Sequence, residues 1–145
     1  MKRLLLVEPD QVIREWLRPT VERIAETTIC SDFLIARSQL LASAPDVLVT
    51  NLRLGEYNGL HLVLLATTDP GITRSVVHTN RPDPYLVGEA QTIGAFFEQT
   101  ERLPQCLPGY LFSELPQRDR RDAQRYDRRS AFRGGRRGPD VAISA

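Results

Sequence analysis

The chain has 145 residues, 41% of them hydrophobic, and a formal net charge of +1, which is enough to fill one core and too little average charge to select nucleic acid or an anionic membrane. The average conceals a split: residues 116–145 hold nine Arg against four Asp, leaving 10 basic and 14 acidic residues in 1–115. The longest apolar runs, 4–7 and 60–66, are too short to span a bilayer, and MKRLLLVEPD has no signal-peptide core. Cys30 and Cys106 stand apart with neither metal-ligand nor CxxC spacing. A reduced, cytoplasmic setting is the expectation.

Residues 4–7 form a continuous apolar run ended by Pro9, as in a strand buried on both faces. Asp10 stands where a helix N-cap belongs. Val12, Ile13, Trp16, Leu17, Val21 and Ile24 then recur at helical spacing, predicting an amphipathic helix over 10–26 with Trp16 in its core stripe and a kink or break at Pro19. Residues 27–30 predict a second strand, 33–42 a second helix ended before Pro45, and DVLVT (46–50) a third strand. A third helix over 60–66 is followed by the breakers Asp69-Pro70-Gly71. SVVHT (75–79) predicts a fourth strand, and 82–93 a fourth helix with its prolines at the start. A fifth strand is expected over 94–97 and a fifth helix over 105–115, split by Pro108-Gly109. The periodicity then stops, predicting a domain over 1–115 and a disordered tail over 116–145.

Alternating strands and helices predict an α/β chain with a parallel sheet covered on both faces, whose sites form at the carboxyl ends of the strands. That rule gathers Glu8, Asp10, Asn51 and Thr79 with whatever follows Phe97. His61 and His78 show no carboxylate or cysteine constellation. Ser75 and Ser113 lack a nucleophile-elbow context, and no glycine loop cradles phosphate. No catalytic residue, metal ligand or cofactor is expected.

LLLVEPD, PDVLVTN, NGL, VVHTN and GAFF, in this order and spacing, give residues 1–104 a pattern that resembles the receiver domain of two-component response regulators. The resemblance implies a flavodoxin-like, doubly wound, five-stranded parallel sheet in the order 2-1-3-4-5. It also implies a Mg²⁺-dependent aspartyl phosphate after the third strand and a responsive face made of the fourth helix, fifth strand and fifth helix. Such chemistry uses an acidic pair after the first strand, a Thr or Ser after the fourth and a lysine after the fifth.

Here Asn51 takes the phosphoacceptor position, and a carboxamide is a poor nucleophile that brings no charge to a cation. The acidic pair is Glu8-Pro9, with Asp10 one residue further on. The lysine position falls near Glu101, or Thr100 or Arg102 with small gaps, while Lys2 is the only lysine in the chain. Thr79 alone matches its role. The chain thus resembles a degenerate receiver, a pseudo-receiver, which implies a non-enzymatic module of bacterial signalling. It would act by phosphorylation-independent docking to a protein partner or a second copy through the responsive face. Tyr85 and whichever of Phe96 and Phe97 points outward would mark that surface. Two alternatives accompany this expectation. One is a residual Mg²⁺-dependent phosphoacceptor holding a cation on Glu8 and Asp10. The other is nucleic-acid binding through RRSAFRGGRRGPD, with Arg133, Arg136 and Arg137 on the polyanion.

Overall fold

The computed structural model describes residues 1–67 and 73–113. The Asp69-Pro70-Gly71 breakers and the tail, with Arg133, Arg136 and Arg137, lie outside the described residues. In chain order the elements are β1 (Arg3–Val7), α1 (Gln11–Ile24), β2 (Glu26–Cys30), α2 (Phe33–Ala42), β3 (Val47–Asn51), β4 (Arg53–Leu54), β5 (Tyr57–Asn58), α3 (Gly59–Ala66), β6 (Arg74–Thr79), α4 (Pro84–Thr92), β7 (Phe96–Gln99), a 3-10 turn (Thr100–Arg102) and α5 (Leu103–Phe112). Five parallel strands form one sheet in the order β2-β1-β3-β6-β7. With the small β4–β5 hairpin set aside, this is the expected 2-1-3-4-5 order of a flavodoxin-like fold.

The sheet is buried on both sides because its strands are apolar on both sides. Leu4 and Leu6 of β1, Val47 and Val49 of β3, and Val76 and Phe96 pack with α1 and α5 residues such as Leu17, Val21, Leu107 and Leu111. The alternate positions Leu5, Val7 and Leu48 pack with Phe33, Ala36 and Leu62 of α2 and α3. Val77 joins Val63, Ala90 and Ala95. Among the described residues, no helix is long and apolar enough to cross a membrane.

Several expectations need correcting. Pro19 does not break α1, whose buried residues Leu17, Thr20 and Val21 lie on the opposite side from this exposed proline, so the lost N–H bond falls toward water. Trp16 is 47% and Val12 78% exposed, so neither belongs to the core stripe. α5 also runs unbroken through Pro108-Gly109. An interior proline costs about 3 kcal/mol, but Leu103, Leu107 and Leu111 are all 0% exposed, and each such side chain returns about 1.5–3 kcal/mol. The last sheet strand starts at Phe96, because Gly94 (φ 101°) and Ala95 are used to end α4, with the Ala95 amide donating to the Ala90 carbonyl at 2.9 Å. The β4–β5 hairpin, turning at Gly55 (φ 67°), connects β3 to α3.

Candidate functional site

Side chains two residues apart on a strand share a face. Extending the rows of the α1/α5 side to the carboxyl end of the sheet places Glu8 after Leu4 and Leu6, Asn51 after Val47 and Val49, and His78 after Val76. The register confirms the row: Val7 pairs with Thr50, Asn51 with His78, and His78 with Glu98. The sheet therefore ends on a polar row lying directly over an apolar core.

The row is bonded internally. The Asn51 Nδ2 donates to Glu8 Oε1 at 2.9 Å, and the Asp10 amide donates to Glu8 Oε2 at 2.9 Å. The Asn51 Oδ1 accepts from the Arg53 amide at 2.9 Å, which ties the amide to the hairpin. His78 Nε2 lies 3.4 Å from Glu8 Oε1, and both side chains are fully buried. On the other side of the ring, Nδ1 is 2.9 Å from the Thr100 Oγ1. Burial raises the Glu8 pKa above the usual carboxylate value, and the Asn51 and Asp10 hydrogen bonds only partly oppose this. Burial lowers His78 to about 3, so its ring is neutral at physiological pH.

The other expected site residues are distributed around this row. Pro9 is exposed. Asp10 caps α1, its Oδ1 accepting from the Val12 amide at 2.8 Å and the Ile13 amide at 3.3 Å. Thr79 is buried, and its hydroxyl accepts from the Arg81 amide at 3.1 Å. Glu101 is exposed in the 3-10 turn, past the last sheet pair Thr79–Gln99. It is the neighbouring Thr100 that turns under the site. Tyr85 is 73% exposed on α4. Phe96 is a correction: it is 6% exposed and lies 5.2 Å from the Tyr110 ring, because α5 covers its side of the sheet. Phe97 is half-buried and packs against the α3/α4 side, so neither ring faces freely outward.

Sequence reasoning missed the contact of His78 with Glu8 and the role of Thr100. A signal existed in the i, i+2 rows LxLxE, VxVxN and VxH, each of which ends an apolar row with a polar group that needs a partner.

The donor set does not fit Mg²⁺, which takes near-octahedral hard oxygens. Glu8 Oε1 faces an amide N–H and a ring nitrogen, Asn51 turns its oxygen toward Arg53, and Asp10 is engaged in capping.

No family model matches the chain, and no curated protein does. Solved structures do. The chemotaxis protein CheY4 of Vibrio cholerae is 19% identical at a TM-score of 0.68, over 79% of this chain and 99% of that one. The signal receiver domain of NarL from Mycobacterium tuberculosis is 17% identical at 0.66, over 76% and 92%. A LuxR-family DNA-binding response regulator from Staphylococcus aureus is 14% identical at 0.67, over 77% and 96%. At these identities the likeness concerns architecture: this chain has the fold of response regulator receiver domains.

Proposed function

We propose that the protein is a non-enzymatic signalling module of the receiver type that works by docking to a protein partner without being phosphorylated. The observation that carries this reading is the Asn51–Glu8 hydrogen bond. It joins the two positions that would otherwise supply a nucleophile and a cation ligand, and it satisfies each with the other. A carboxamide cannot form an acyl phosphate, and a buried carboxyl whose pKa is raised is a weak cation ligand. With Arg53 and Asp10 anchored to the same pair, the loops around the site hold one shape.

The test is intact-mass analysis after incubation with Mg²⁺ and acetyl phosphate. Neither the wild type nor Asn51→Asp is expected to carry a phosphate, since the variant still has Pro9 after Glu8 and no lysine nearby. A phosphate on the wild type would favour a residual phosphoacceptor instead. Domain limits of 1–115, a cytoplasmic setting and a partner reading Tyr85 on the α4 side belong to the same proposal.

A further inference from the structure

Among the described residues, an open apolar surface lies between α2 and α3, away from the polar row. The apolar residues of α2 (FLIARSQLLA) are only partly enclosed: Phe33, Ala36 and Leu40 are buried, while Leu34 is 56% and Leu41 66% exposed. Leu34, Arg37 and Leu41 follow one another at i, i+3 and i+7, forming a stripe along the helix. Opposite them, His61 and the 52% exposed Leu64 form a second stripe on α3. Tyr57 from the hairpin stacks on Phe33 at 4.3 Å and 11°. Phe33, Leu34, Arg37, Tyr57, His61 and Leu64 line a groove of about 440 Å³.

Its charge selects an occupant. Arg37 is the fixed charge among the lining side chains, and His61 adds an imidazole. The chain's own tail, nine Arg against four Asp over 116–145, would bring like charge to Arg37. A two-fold contact of this face with itself would bring two copies of Arg37 into the interface with no carboxylate among the lining side chains to meet them. We infer that the α2–α3 groove binds an amphipathic helix of a partner protein, with an apolar stripe entering between Leu34 and Leu64 and Asp or Glu bordering it to meet Arg37. This is the helix-in-groove mode of recognition. At 10 residues, α2 is about 15 Å long and matches roughly three turns of such a helix. The groove is held by the site's own bonding. Asn51 Oδ1 fixes the Arg53 amide, Arg53 pairs with Asn58, and that hairpin carries Tyr57.

This inference rests on the docking reading, and it is tested by selecting a display library of helical peptides on the full chain. The library has Leu at i, i+3, i+4 and i+7 and randomised flanks. Acidic flanks are expected to be enriched. By fluorescence anisotropy the selected peptides should bind Leu34→Ser and Leu64→Ser about tenfold more weakly, while Arg37→Glu should turn the preference toward Lys-bordered peptides. Both leucines are more than half exposed, so these variants retain the fold, which amide spectra verify. Basic or unbiased flanks, or peptides that bind Leu64→Ser as tightly as wild type, would overturn the inference. So would a dimer that Leu64→Ser dissolves, which gives the groove to a second copy. Failure here leaves the absence of phosphate uptake untouched, whereas phosphate on the wild type would remove the docking reading itself.

Discussion

Glu8 and His78 have been taken out of water together, and burial moves them in opposite directions: the Glu8 pKa rises, and the His78 pKa falls to about 3 from 6.5. For His78 the unfolded chain binds the extra proton between these values, so its contribution to stability is complete above 6.5 and is lost as pH falls toward 3. Glu8 works the other way: its contribution is present at low pH and is lost as pH rises through its raised folded value. The groups facing His78 are Glu8 after β1, Asn51 of β3 and Thr100 of the 3-10 turn. In urea titrations across pH 3 to 7, His78→Gln should flatten the acid limb by on the order of a few kcal/mol. An unchanged limb would mean that the ring is not titrating from a buried neutral state. Asn51→Asp exchanges an N–H donor for a second carboxylate 2.9 Å from Glu8 Oε1. It should cost about 1–3 kcal/mol at pH 7. Part of that should return on acidification, because one proton shared by the two carboxyls relieves the repulsion.

Among the elements, α3 begins where the site ends, and its first residue tolerates no side chain. A Cβ on Gly59 would lie 2.5 Å from the Asn51 carbonyl oxygen and 3.0 Å from the Thr50 Cγ2, and the backbone atom cannot rotate away. Gly59→Ala should therefore destabilise by about 1–3 kcal/mol. Gly88→Ala, inside α4 with open space around it, should stabilise by about 0.5–1 kcal/mol. The pair of substitutions, compared by urea midpoint, separates close packing at the site from helix propensity. Helix starts rest on local chemistry: Asp10, the cap read from the sequence, accepts amide bonds at the start of α1, and Asp32, Asn58 and Asp83 do the same for α2, α3 and α4. Helix continuity was not legible, since α1 and α5 pass through Pro19 and Pro108 on the strength of burial that no local signal reports. Trp16 misled for the same reason. A helical period fixes a stripe only to within one residue, and the stripe that packs contains Leu17 and Val21.

At the scale of the molecule, the parallel sheet was legible from continuous apolar strands and their alternation with helices, and the strand order came through the receiver resemblance. The site was half legible. Asn51, Glu8 and Thr79 are named by where their strands end, whereas the contact of His78 with Glu8 depends on a register across β1, β3 and β6 that a single chain does not display. That register also explains why the site closes on itself. Glu8 Oε1 accepts from the amide of Asn51, and the neutral ring of His78 packs beside it with Nε2 3.4 Å away. The proposal that this site does not answer to phosphoryl chemistry can be checked by amide NMR of the full chain with and without Mg²⁺ and beryllofluoride, a mimic of the acyl phosphate. Resonances at Asn51, Arg53 and Thr79 are expected to stay unchanged. Saturable, Mg²⁺-dependent shifts at those residues would contradict the proposal.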